Sequence, residues 1–428
     1  MTRKFTSFQV DNFKEFKIKM LSWANQFSIF CLLDNNQYNF SDPSFECLLA
    51  VGSITKLQLN AGNAFNGLHN FLKDNNDWAF GHFSYDLKNE TENLSSKNFD
   101  GIQLPDLFFF IPEIVLILTN NKLEIGVVTK DVRAIWEDIS NSRSNIHQTK
   151  NALPEIKSRF SKNEYISTVK KIQHHILRGD CYEINFCQEF YAEDCAINPL
   201  QVYQKLSQLS PNPFAAFYKL DDTFLLCSSP ERYLKRIGDK IFSQPIKGTS
   251  KRNLKDKTDD ERNKKYLTES KKELSENVMV VDLVRNDLSK ICIEGSVTVD
   301  ELFSVYSFPQ VHQMISTVSG IINKEINFSE IFRSTFPMGS MTGVPKKRVM
   351  EIIEQYEKTR RGLFSGAIGY IMPHGDFDFN VVIRSILYNS TKKYVSMQAG
   401  SGITFYSEAE KEYEECMIKM EAMKKVLE

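Results

Sequence analysis

The sequence predicts a mixed α/β protein in which long strands pack with amphipathic helices, and three observations carry that expectation. Residues 27–33 and 108–118 are apolar, β-rich runs set among polar turns such as Asp34-Asn35-Asn36. Residues 164–177 repeat apolar side chains at helical spacing. Residues 181–190 alternate as a strand does. At 428 residues and 42% hydrophobic content, the chain can bury the core of one large α/β unit or of two packed halves.

In chain order, residues 1–150 read as a β-rich region, and the polar stretch 141–150 is the candidate linker. The run 107–118 is broken by Pro112 and Glu113 and is too short to span a bilayer. Residues 251–272 mix charges of both signs and read as a solvated loop entering a helix, with no binding role. That helix continues to Asp287 and carries Glu273 and Glu276 on one face. Residues 311–322 fit either period, and their β-branched content favours a strand. A helix is expected over 345–356, a strand with Arg384 over 379–387, and a C-terminal helix opened by a capping box of Ser407 and Glu410.

Charge and cysteine usage exclude several classes. Lys plus Arg total 53 against 54 Asp plus Glu, a formal net charge of -1, so no long-range field gathers nucleic acid or an anionic membrane. The N-terminus lacks a signal-peptide apolar core, and a soluble, cytoplasmic protein is expected. The eight cysteines form no CxxC pair or metal-finger spacing and read as reduced structural thiols.

The chemistry centres on Pro245-Ile246-Lys247-Gly248-Thr249, which places a lysine beside a strand with a glycine to admit a ligand. Lowering a lysine pKa by about 3 changes the relative energy of its two forms by about 4 kcal/mol, the perturbation that covalent amine catalysis needs. By itself such a lysine is more often one that reaches out to water. Glu273 and Glu276, with Glu412 and Glu415 on the flank of the C-terminal helix, make an oxygen-rich set suited to Mg²⁺. Taken pair by pair, such glutamates are more often surface helix charge. The run from Gly339 to Lys347, containing Ser340, fails the P-loop spacing but forms a glycine-rich turn leading into a helix. Gln398-Ala399-Gly400-Ser401-Gly402 offers a second close-approach backbone, and Arg384 could clamp a carboxylate.

Together these motifs resemble the chorismate-utilising enzymes over residues 160–421. In order they are Gly179-Asp180, Ser229-Pro230-Glu231, the Lys247 run, Glu273 to Glu276 with Asp282-Leu283 and Arg285-Asn286-Asp287, Gly339 to Pro345, Ile383-Arg384-Ser385, Gln398 to Gly402, and Glu412 with Glu415. A weaker resemblance covers residues 78–86. The resemblance implies a sandwich of two large, mainly antiparallel sheets face to face with helices outside. It makes 1–150 and the chorismate-binding region 160–421 one intertwined unit. Lys247 resembles the branch that forms aminodeoxychorismate, where anthranilate-forming members carry alanine. The roles implied are a nucleophile in Lys247, a general acid in Glu231 and a catalytic histidine near the reacting ring in His312. Gly248, Thr249, Ser340, Arg384, Gly400 and Lys419 are implied to bind substrate. Glu276 and Glu415 are implied to bind Mg²⁺, with Glu273 and Glu412 in support. Gln244, Asn277 and Phe364 depart from the family pattern. An anthranilate-forming enzyme, an isochorismate synthase and a non-catalytic binding scaffold are the competing readings. Because no cysteine lies in a Gly-x-Cys-x-Gly setting and no length beyond residue 421 remains to house a glutaminase, ammonia is expected from a separate glutamine amidotransferase subunit.

Overall fold

Neighbouring side chains in the first strands enter different cores, as a two-residue period requires. Ile29 and Cys31 pack with Trp78, Phe80 and Phe108, whereas Phe30 and Leu32 pack with Phe16 and Met20. The computed structural model, which describes residues 2–38, 44–142, 154–308 and 311–428, shows why both faces are apolar. Two sheets share the first core between them, and helices cover their outer faces.

The larger sheet has twelve strands and the smaller ten, paired antiparallel. Both draw strands from distant parts of the chain. In the larger, Ile29–Asp34 lies between Cys47–Val51 and Phe214–Leu220, and the sheet continues through Thr223–Ser229, Ser385–Asn389, Tyr394–Ile403 and Glu183–Ala192. In the smaller, Ala79–Phe83 lies between Leu107–Ile111 and Ala367–Ile371. Helices Phe13–Ala24, Lys162–Leu177, Pro199–Leu209 and Ala409–Lys425 pack on the larger sheet. Ala64–Asp74, Lys271–Ser289 and Phe328–Thr335 pack on the smaller.

Several elements differ from their sequence reading. The apolar run 108–118 becomes two strands, Leu107–Ile111 and Ile114–Thr119, in opposite sheets, because Pro112-Glu113 interrupts the ladder. The expected strand over 379–387 is likewise divided. Phe377–Asn380 belongs to the smaller sheet and Ser385–Asn389 to the larger, and Arg384 sits at the crossing with a left-handed φ of 51°. The stretch 251–272 holds a full helix, Lys257–Glu269, before the next begins. The C-terminal helix has no side-chain cap. Ser407 Oγ instead accepts from the Thr404 amide, and Glu410 pairs with Lys170 at 3.8 Å. A reciprocal box of Ser161 and Glu164 does open Lys162–Leu177. Residues Val311–Ile321 form a strand as expected, and the candidate linker 141–150 lies outside the described residues from 143 onward.

Among the described residues no helix is long and apolar enough to cross a membrane. All eight cysteines are free and buried, and burial raises the Cys187 thiol to about 12, which leaves it unreactive.

Candidate active site

Five of the elements that line a cavity of about 340 Å³ carry most of its charged side chains and close backbone. They are the paired strands Glu183–Ala192 and Tyr394–Ile403, the strand Ile246–Lys251, and the helices Lys271–Ser289 and Ala409–Lys425. Pro245 separates Lys240–Gln244 from Ile246–Lys251, whose register against Val311–Ile321 breaks between Ile246 and Thr249. Gly248, at φ 91°, lies within that break. The conformation suits glycine, and a Cβ there would come 3.0 Å from Glu273 Oε2.

Lys247 is 7% exposed and lines the cavity, its Nζ 2.6 Å from Glu183 Oε1 and 3.8 Å from Glu276 Oε2. Burial opposes its charge, but Glu183 and Glu276 outweigh that penalty and hold the ammonium above the usual lysine range. The expected depression of this pKa is therefore absent from the ligand-free chain, because the fold that buries the amine also surrounds it with acids. Glu231, 4% exposed, faces the same cavity. Burial pushes its carboxyl up to about 7, against opposing contributions from the Ser340 hydroxyl and Lys247. Nucleophile and acid candidates thus share one chamber, and Glu231 carries a proton in a substantial fraction of molecules near neutral pH.

Gly248, Thr249, Ser340, Arg384, Gly400 and Lys419 all line the cavity. Gly400 is locked by its neighbours, since a Cβ there would lie 2.0 Å from the Phe186 carbonyl oxygen. Lys419 donates to the Gly400 carbonyl at 2.8 Å and pairs with Glu415 at 2.6 Å. Arg384 donates to the Lys419 carbonyl at a long 3.4 Å, and burial lowers its pKa. A guanidinium so weakly engaged retains donors for an anion.

Glu273, Glu276 and Glu415 also line the cavity, from two helices. Burial pushes Glu276 up to about 8. Burial opposes ionisation of Glu415, but Lys419 and Lys272 overcome it and lower the carboxyl to about 2. Glu412 is only 1% exposed and does not line the cavity, its Oε1 instead accepting from Lys272 at 2.7 Å. His312 likewise does not line the cavity. It is buried outside the cavity wall, with Nδ1 against Ser307 Oγ at 2.8 Å and Nε2 against Asp260 Oδ1 at 3.1 Å, so both ring nitrogens are engaged. Of the departing residues, Phe364 lines the cavity, Gln244 accepts from Arg232 at 2.6 Å, and Asn277 accepts from Ser316 at 2.6 Å.

Three contributors escaped the sequence reading. Glu183 binds Lys247, Lys272 lies among the glutamates, and Arg361 supports the wall. Arg361 is 2% exposed and donates to the carbonyls of Met341 at 2.6 Å and Asn185 at 2.7 Å while paired with Glu357. Glu183 left one usable signal, a carboxylate heading the run Ile184-Asn185-Phe186 of a strand buried on both faces.

Among the described residues no group of three or more Asp, Glu, His or Cys side chains is arranged to hold a metal. Mg²⁺ needs less, commonly one or two carboxylates completed by water and substrate oxygens. Glu276 and Glu415 meet that requirement, and the buried Glu276 Oε1 accepts no hydrogen bond. Gly402 leaves the space, since a Cβ there would lie 2.9 Å from Glu276 Oε2. The donor set fits the ion.

A model of the family described as chorismate binding enzyme matches residues 30–425. Aminodeoxychorismate synthase component 1 of Escherichia coli (strain K12) is 34% identical over 351 residues, covering 82% of this chain and 77% of that protein. Anthranilate synthase component 1 of Aquifex aeolicus (strain VF5) is 31% identical over 367 residues, covering 81% and 74%. The crystal structure of anthranilate synthase component I from Streptococcus pneumoniae TIGR4 shares the fold, with a TM-score of 0.79 over 90% of this chain and 94% of that one at 24% identity. Because the family match spans the strands and helices that wall the cavity, this chain belongs to the chorismate binding enzymes and acts on chorismate.

Proposed function

We propose that the chain is a component I-type aminodeoxychorismate synthase, converting chorismate and ammonia to 4-amino-4-deoxychorismate for 4-aminobenzoate and folate synthesis. The observation that carries this reading is Lys247, an amine lining the same cavity as the proton-bearing Glu231. The similarity to aminodeoxychorismate synthase component 1 of Escherichia coli supports it.

Chorismate carries two carboxylates, and Arg384, Lys419 and backbone donors in the cavity offset that charge. The amine becomes nucleophilic when its proton crosses to Glu183 Oε1, 2.6 Å away. Lys247 Nζ then bonds to C2, the ring double bond shifts, and the C4–O bond breaks with the Glu231 proton leaving on the hydroxyl as water. Ammonia next bonds to C4, the double bond shifts back, and the C2–N bond breaks to release Lys247. A Mg²⁺ held by Glu276 and Glu415, with Glu273 and Glu412 behind them, would supply positive charge to the ring carboxylate.

Ammonia comes in this reading from a separate glutamine amidotransferase subunit, consistent with eight cysteines that are all buried. Mass spectrometry of products from purified chain, chorismate, Mg²⁺ and a nitrogen source tests both parts. The expected result is aminodeoxychorismate with ammonium salts and none with glutamine until the subunit is added. Anthranilate or isochorismate as the product would refute the specificity, and efficient glutamine use by the isolated chain would refute the partner.

A further inference from the structure

Lys272 lies on the first turn of the Lys271–Ser289 helix, yet it contacts carboxylates from both helices that border the cavity. Its Nζ is 2.7 Å from Glu412 Oε1, 3.7 Å from Glu276 Oε1 and 3.8 Å from Glu415 Oε2. Only the first is within hydrogen-bond range, so the ammonium fills the charge requirement of the cluster better than its bonding requirement. Glu276 Oε1 and Glu412 Oε2 accept no hydrogen bond, although their residues are only 6% and 1% exposed. Buried carboxylate oxygens left without donors are unfavourable, and these mark room for a cation that binds oxygen more completely. Burial opposes the charge of Lys272, but Glu276, Glu412 and Glu415 outweigh it and keep the side chain an ammonium. The side chain is still 27% exposed and has an open route to water.

We propose that Lys272 is a built-in counter-ion, seated among Glu276, Glu412 and Glu415, which a hard dication bound by these glutamates displaces toward solvent. The inference rests on reading Glu276 and Glu415 as metal ligands. One ammonium offsets part of the charge that the carboxylates bring together and so lessens repulsion between the two helices. Incoming metal must compete with it, and the affinity of the site is lowered accordingly.

Calorimetric Mg²⁺ titration of the wild-type chain, Lys272→Gln and Lys272→Arg tests the competition. Lys272→Gln is expected to bind Mg²⁺ about ten-fold tighter, the effect of removing one competing contact, and Lys272→Arg no tighter than wild type. In the wild-type chain, an amine-acetylating ester should label Lys272 several-fold faster with saturating Mg²⁺ than with chelator, read by peptide mass spectrometry. Equal affinities for wild type and Lys272→Gln, or unchanged labelling while Mg²⁺ is bound, overturn the counter-ion role and leave the glutamate ligands standing. Failure of all three proteins to bind Mg²⁺ overturns both. Should Lys272→Gln not fold, the wild-type labelling decides alone.

Discussion

Replacing Lys247 with methionine keeps the length of the side chain and removes its amine, so chemistry and stability can be read from one variant. In the wild type the ammonium lies 2.6 Å from Glu183 and 3.8 Å from Glu276, both under a tenth exposed. Removing one partner of a buried pair costs about 3–5 kcal/mol, an upper bound here because the stranded carboxyls can take up protons. The pH dependence follows from Glu276, which burial pushes up to about 8 even though Lys247 opposes the rise. Without Lys247 that pKa rises further. A carboxyl whose folded pKa exceeds its unfolded value of about 4.3 destabilises the fold as pH rises through that interval. The Glu276 contribution to the deficit is therefore absent near about pH 5 and present near about pH 9, so the deficit should be larger in base, on top of the loss of the Glu183 pair that the variant carries at both values. Lys247 is also shifted upward, which for an amine is stabilising. Its stabilisation is fully present below the ordinary lysine value of about 10.4 and is lost only above it, outside the assay range. Urea titrations at the two pH values measure the deficit, and product formation from chorismate and ammonium measures turnover, which should fall by at least about 10³-fold. Turnover within ten-fold of wild type would refute the nucleophile. A deficit larger in acid than in base would refute the electrostatic account.

Because Glu231 is pushed up to about 7 and donates its proton, kcat should decline as pH rises through that value. Glu231→Gln should abolish turnover; retention of the same alkaline limb in that variant would assign the titration elsewhere. Gly400→Ala forces a Cβ to within 2.0 Å of a backbone oxygen. It should lose about 1–3 kcal/mol in denaturant titration, as overpacked sites do. Gly402→Ala meets movable carboxylates instead, Glu276 at 2.9 Å and Glu183 at 3.1 Å, and should keep its fold while binding Mg²⁺ and chorismate more weakly in calorimetry. Chelator should remove activity and Mg²⁺ restore it, with Glu276→Gln and Glu415→Gln each raising the Mg²⁺ required; full chelator-resistant activity would remove the metal from the reading.

Contiguous signals were legible before any coordinates. The strands at 29–34 and 183–192, the helix at 162–177 and the helix bearing Glu273 and Glu276 follow from short-range periodicity. At 379–387 a continuous run concealed a change of sheet, and at 108–118 Pro112 and Glu113 marked the break but not the change of sheet, because both pieces are apolar wherever they go. The Ser407 and Glu410 motif misled for a related reason: a turn to Thr404 and a distant lysine captured the two side chains.

By itself the sequence determined that Lys247 follows Pro245, that Gly248 allows the backbone turn beside it, and that acids recur at helical spacing, since each is a relation between near neighbours. It also carried the ordered motifs from which the cavity is built. Only the tertiary structure brought Glu183, Lys247, Glu276 and Gly402 into contact and drew Lys272 toward Glu412 and Glu415. It likewise set His312 against Asp260 instead of the cavity. Those distances depend on the order and register of strands far apart in the chain. The protonation of Lys247, Glu231 and Glu276 depends in turn on desolvation and on charges reached through space, and neither is a property of sequence spacing.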